Sequence, residues 1–246
     1  MPDLKNGFLE RIFKNTPHFS NDLIEPFNEE EFETIKRFSA EEYWCGNESI
    51  NIFNVSGTRH PDYQGKSWLW FLQNGKRMRL NLTLFEQNPG YYLGEARKEP
   101  AMSYVRVDGK LYVDHDGNHR TCIARFFYFE KGLTHLRGVE VREYRVDGHA
   151  MATFEAIRRA LDVKKITHIH MESFREKADR EDSAGWMKER FEIGARLRNV
   201  RSGGLLVLKR QEFQGFLSAI EGMGGFKRFL GGDKYTKFLS GRGGAN

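Results

Sequence analysis

Hydrophobic positions change their spacing several times along this chain. Leu4, Phe8 and Ile12 recur at every fourth residue and Pro17 ends the run, which predicts a short amphipathic helix. Asn28, followed three residues later by Glu31, has the form of a capping box, and Phe32, Ile35 and Phe38 continue along one side. Residues 1–66 therefore read as a helical or irregular segment packed on a core. From Ser67 to Phe85 the period shortens to two. Met78, Leu80, Leu82 and Leu84 alternate with Arg77, Arg79, Asn81 and Thr83, the pattern of a half-buried strand. Trp68-Leu69-Trp70-Phe71-Leu72 precedes it across Asn74-Gly75, a pair suited to the positive φ angles of a type I′ turn. The expectation is a hairpin whose outer face carries Arg77 and Arg79.

A second hairpin is predicted from Ser103–Val107 and Lys110–Val113 around Asp108-Gly109. The polar run Asp114–Asn118 leads into a helix containing Cys122-Ile123-Ala124-Arg125-Phe126-Phe127, with Gly132 as its stop. Val139, Val141, Tyr144 and Val146 mark a further strand, so residues 67–147 form the predicted core. Residues 148–240 read as mainly helical. Phe154, Ile157 and Leu161 make one helix face, Met187, Phe191 and Ala195 another, and a short helix is expected around Gln211–Glu221. Ile166 to Met171 alternates as a possible strand, and residues 241–246 read as a disordered tail.

Composition narrows the class. The 246 residues contain no apolar run of about 18, the length that a spanning helix requires. Asp3, Lys5, Glu10 and Arg11 stand where a signal peptide would be apolar, and Cys45 and Cys122 are the only cysteines. The expectation is a cytoplasmic protein with neither a disulfide framework nor a four-ligand zinc site. The formal charge is +5 and is unevenly placed. Residues 201–246 hold eight basic groups (Arg201, Lys209, Arg210, Lys227, Arg228, Lys234, Lys237, Arg242) and three acidic ones, leaving 31 of each sign before them. Such a segment is suited to a polyanion such as DNA, or else is a solvated tail.

The densest polar cluster is Asp114-His115-Asp116-Gly117-Asn118-His119-Arg120-Thr121. It falls where a strand ends and a helix begins, so free backbone amides and the positive end of the helix dipole face one spot. Asn118 is a candidate cap, Gly117 permits close approach, and His119 and Arg120 can donate to phosphate oxygens. The alternative is a turn and cap in which Arg120 pairs with Asp114 or Asp116.

The run "YVDHDGNHRTCIARFF", with the hairpin before it and "GVEVREY" after it, resembles the core of the ParB/sulfiredoxin superfamily. That family's signature is a strand followed by Gly-x-(His/Arg)-Arg opening a helix of pattern R-x-x-A; Gly117, Asn118, His119, Arg120 and Ala124 match it. The resemblance spans about residues 76–147. It implies an α+β fold with a mixed sheet and a strand–Gly-x-His-Arg–helix core, carrying helical additions at both ends. It also implies a nucleotide triphosphate (ATP or CTP) at Gly117, Asn118, His119, Arg120 and Thr121. Asn118 stands where sulfiredoxins carry their cysteine, and the second motif of partition proteins is missing. The branches left open are plasmid fertility-inhibition factors of the Osa type and small-molecule kinases or nucleotidases. The expected activity is a nuclease or nucleotide hydrolase (DNase or ATPase) acting on DNA in fertility inhibition or plasmid competition, with conjugation or secretion machinery as a further partner. The alternatives are a non-catalytic DNA- or protein-binding module and a small-molecule phosphotransferase.

Phosphoryl chemistry needs positive charge on oxygen, a base, and usually a divalent metal. Arg120 and His119 would supply the first; His115, Asp114 or Asp116 the second; Asp114 and Asp116 would hold Mg²⁺. Lesser candidates are a zinc site at His168 and His170, with His149, and base stacking by Trp68, Trp70, Phe71, Tyr91 or Tyr92.

Overall fold

The computed structural model describes residues 7–223 and 234–240. In chain order they form α1 (Gly7–Lys14), β1 (Glu25–Pro26), α2 (Glu29–Lys36), β2 (Ser39–Asn51), β3 (Val55–Thr58), α3 (Trp68–Asn74), α4 (Met78–Gln87) and α5 (Gly90–Leu93). There follow β4 (Ser103–Val107), β5 (Lys110–Val113), α6 (Asn118–Lys131), β6 (His135–Val146), α7 (Gly148–Val163), β7 (Ile169–Ser183), β8 (Trp186–Asn199), β9 (Leu205–Lys209), α8 (Phe213–Glu221) and α9 (Lys234–Ser240). The class is α+β with mixed strand pairing, and no described helix is long and apolar enough to cross a membrane.

The chain divides into two compact units. The first comprises Met1–Glu29, Tyr43–Tyr144 and Asp182–Met187. Its strands lie in the order β1-β3-β5-β4-β6-β2. The pairs β1–β3, β3–β5 and β4–β6 are parallel, and β4–β5 is the antiparallel hairpin expected around Asp108-Gly109, both at positive φ. Helix α6 is the centre of this unit. Cys122, Ile123, Ala124 and Phe126 are fully buried, and α3 and α4 pack on the helix. Gly132 closes it in the left-handed conformation, as its sequence predicts.

Arg125 is unusual in this core, being only 4% exposed. Its Nη1 donates to the carbonyls of Ile52, Phe53 and Val55, and the guanidinium lies over the rings of Trp68 and Phe19. Burial lowers its pKa to about 10.

The segment expected as a hairpin at 67–85 is instead the helix pair α3 and α4. Met78, Leu82 and Phe85 are the buried positions, at i, i+4 and i+7, whereas Leu80 and Leu84 face outward. An alternating run of leucines fits both periods. Leu, Met, Arg and Gln favour helix, and Thr83 is the only β-branched residue in α4 to argue otherwise. Gly75 ends α3 rather than turning a hairpin; a Cβ there would lie 2.5 Å from the Phe71 ring. Arg77 begins α4 at φ +70, so neither it nor Arg79 lies on a strand.

The segment before residue 67 also holds strands β1, β2 and β3 besides its helices. β2 escapes a search for alternation because its charged positions are partnered: Glu41 meets Arg145 and Lys188, and Glu42 meets Arg175.

The second unit comprises Glu30–Glu42, Arg145–Glu181 and Lys188–Asn246. α7 begins as predicted, capped by Asp147 on Ala150 N (2.9 Å), and buries Phe154, Ile157 and Leu161. The face read as helical at Met187–Ala195 is strand β8, with Ile193, Ala195 and Leu197 buried at period two. It pairs antiparallel with β9 through Ala195↔Leu208 and Leu197↔Leu206. The region expected to be mainly helical thus carries three strands. The expected tail at 241–246 lies outside the described residues.

Candidate functional site

The polar run after β5 is held by one serine. Ser103 of β4 accepts from Asp116 N at its hydroxyl (3.0 Å), donates its own N–H to Asp116 O (3.0 Å), and receives Asp114 N at its carbonyl (2.9 Å). Gly117 follows at φ +106, a conformation that strains any residue with a Cβ, and its Cα packs so closely that a Cβ would lie 3.1 Å from Met102 Cα. It is Gly117, not Asn118, that occupies the cap position, so no side chain caps the amides at the start of α6.

Asn118 is the first residue of the helix and only 9% exposed. Its Oδ1 accepts from Thr58 Oγ1, which itself accepts from His60 N (3.0 Å), so the hydroxyl proton points at Asn118. Asn118 Nδ2 has no partner among the described residues.

Arg120 donates from Nη1 to Pro100 O at 2.8 Å and pairs through Nη2 with Asp116 Oδ1 at 2.6 Å. The Tyr91 hydroxyl lies 3.5 Å from Nη1 and itself donates to Pro100 O. Burial opposes the charge, but the hydrogen bond to Asp116 and the neighbouring Tyr91 outweigh it, and the pKa of Arg120 is raised. Of the two pairings open for Arg120 in the sequence, the one with Asp116 is present.

His119 is placed differently from its expected role as a phosphate donor. Its Nε2 meets the carbonyl of Lys76 and lies 3.3 Å from the Tyr63 hydroxyl, and the ring sits against Tyr63 and Phe71. A carbonyl only accepts, so Nε2 carries the proton and Nδ1 is left as an acceptor. Burial lowers the pKa of His119 and keeps the ring neutral, with the charges of Arg77 and Arg120 acting in the same direction.

Asp116, Gly117, Asn118, His119 and Arg120 line one cavity of about 410 Å³. Its remaining wall comes from α4 and the segment after it: Asn81, Leu84, Phe85, Asn88, Tyr91, Tyr92, Glu99 and Pro100. Of the expected stacking residues, Tyr91 and Tyr92 are here, while Trp68 and Phe71 belong to the core. Behind Tyr91 lies Lys98, 3% exposed, whose ammonium donates to Gly94 O at 2.6 Å and whose pKa burial lowers.

Three predicted residues do not join the cavity. Thr121 is buried, its hydroxyl 2.8 Å from that of Tyr104. Asp114 pairs with Arg59 at 2.8 Å through Oδ1 and with His115 at 3.3 Å through Oδ2, and Arg59 also forks onto Glu29. In this arrangement Asp114 does not fit the magnesium role, since both its oxygens are taken. No group of three or more His, Cys, Asp or Glu residues suited to a metal is gathered among the described residues. His168 instead donates from Nε2 to Leu239 O at 3.0 Å. Of the basic groups after residue 200, Lys209, Arg210 and Lys234 face Glu192, Asp147 and Glu212, while Lys227, Arg228 and Arg242 lie outside the described residues.

The α4 wall was hidden by the strand reading of that segment. Read as a helix, Asn81, Leu84, Phe85 and Asn88 fall at i, i+3, i+4 and i+7, one continuous face. Comparison with protein-family models, with curated proteins and with solved structures finds no match to this chain.

Proposed function

We propose that this chain is a nucleotide-binding protein of the ParB/sulfiredoxin type, with the nucleotide phosphates at the start of α6 and the base against Leu84 and Tyr91. The observation that carries the reading is the cavity itself. It joins uncapped helix amides, a cationic Arg120 and the unpartnered amide of Asn118 to an aromatic wall. Its volume falls within the range of small-molecule sites, roughly 300–1,000 Å³. ATP or CTP suits these groups, which offer donors at one end and ring faces at the other. His119, neutral and with Nδ1 free to accept, is the general base in this reading, and Arg120 neutralises charge on the phosphoryl oxygens.

Action on DNA as a nuclease in plasmid fertility inhibition is the wider proposal, and it rests on the resemblance of residues 76–147. A second reading, a binding module without turnover, is favoured by the engagement of Asp114 with Arg59 and His115. A fluorescent-nucleotide titration tests the site: Arg120→Ala should abolish binding while leaving the fold intact, and unchanged affinity rejects the assignment. Nucleotide turnover measured with and without plasmid DNA separates the hydrolase from the binding module.

A further inference from the structure

We infer that Asp116 makes this cavity selective for terminal phosphates over phosphodiesters, an inference that rests on the phosphate-site reading above. One oxygen of Asp116 occupies both groups that an incoming phosphate would use. Oδ1 lies 2.6 Å from Arg120 Nη2 and accepts Gly117 N at 2.7 Å. The chain therefore carries its own anion at the entrance to α6.

A ligand must displace this carboxylate or share the arginine with it. The carboxylate carries one negative charge and is tethered, so it returns without any loss of translational freedom. A phosphodiester also carries one charge, and exchanging it for Asp116 gains no Coulomb energy while costing association entropy. A phosphomonoester carries about −1.5 to −2 at pH 7 and gains from the exchange. The two partners are also unequal in their freedom to move. The Asp116 side chain is 62% exposed and can swing into water, whereas Arg120 is 14% exposed and stays fixed by Pro100 O. An Asp116 that stays in place repels either ligand.

Asn118 independently indicates that the ligand brings acceptor atoms. Its side chain is nine-tenths buried in the cavity wall, and its Nδ2 is satisfied neither by Asp116 nor by any other described residue. A terminal phosphate has three oxygens to divide between Arg120, the helix amides and this amide group.

The test is calorimetric titration of the full chain with a nucleoside 5′-monophosphate and with the 3′,5′-cyclic phosphate of the same nucleoside. The two share base and sugar and differ in monoester against diester. The wild type should prefer the 5′-monophosphate by about tenfold or more, the size of one partly screened charge contact. Asp116→Asn keeps an oxygen for Gly117 N and should reduce the preference to about threefold or less by tightening the cyclic ligand, whereas Asp116→Glu should retain it. Equal binding of both ligands by the wild type, or an unchanged preference in Asp116→Asn, overturns the inference and leaves the phosphate site standing. If neither ligand binds the wild type or Asp116→Asn, the phosphate-site reading falls as well. The wild-type comparison needs no variant to fold.

Discussion

Thr58 donates its hydroxyl to the side-chain oxygen of Asn118, joining the end of β3 to the first residue of α6 in a bond where both side chains are buried. It holds the Asn118 amide so that Nδ2 is left over, which makes it the determinant of the cavity's unpartnered donor. Thr58→Val keeps the shape and removes the hydrogen bond. The expected cost is about 1–3 kcal/mol, the usual penalty for stranding a buried acceptor, read as a lower urea midpoint with unchanged slope.

Gly117 should be equally intolerant for a backbone reason. At φ +106 and with Met102 Cα only 3.1 Å from where a Cβ would sit, Gly117→Ala is expected to lose about 1–3 kcal/mol. It should also weaken nucleotide binding, because the methyl group displaces the loop that carries Asp116. A thermal melt paired with a nucleotide titration checks both effects.

Arg125 is predicted to be structural. Removing it strips three carbonyls of a donor and leaves a gap between Trp68 and Phe19. Arg125→Ala should cost about 3–5 kcal/mol, and Arg125→Lys, with a single ammonium in place of a planar fork, should recover only part of it. Chemical denaturation of both variants measures the difference.

The acid side of the stability profile should carry a contribution from His119. Its pKa in the folded chain lies below the ordinary 6.5, so protonation favours the unfolded state. The stability it contributes is fully present above pH 6.5 and is lost as the pH falls through the folded pKa, with a slope of at most about 1.4 kcal/mol per pH unit. Denaturation midpoints from pH 8 to 5 should fall less steeply in His119→Gln than in the wild type.

In the second unit, Asn199 ties α9 to the body. Its Nδ2 donates to Phe238 O at 2.7 Å, and its Oδ1 accepts from Arg201 N and Ser202 N. Asn199→Ala should release Lys234–Ser240, seen as a loss of hydrogen-exchange protection in that helix, while protection in α6 is retained.

The sequence by itself determined the elements whose local signals agree with their surroundings. The hairpin β4–β5 was legible because Asp108-Gly109 supplies a turn that few other pairs can adopt, and α6 because Gly117 and Gly132 bracket an apolar run at a strand's end. The clustering of Asp116 to Arg120 at one point followed from that same local geometry. Tertiary structure decided the rest. Whether Met78 to Leu84 is strand or helix depends on whether Phe85 and Leu82 find α6 beneath them, and alternating leucines serve either outcome. β2 and β8 are built from charged positions that become acceptable in a sheet only when partners such as Arg145 and Lys188 lie across from Glu41. The assignment of Nε2 as the protonated nitrogen of His119, the sharing of Asp116 between Gly117 and Arg120, and the unclaimed amide of Asn118 all rest on residues distant in the chain. Spacing along a sequence records which groups can share a face. Only packing determines which of them are already taken.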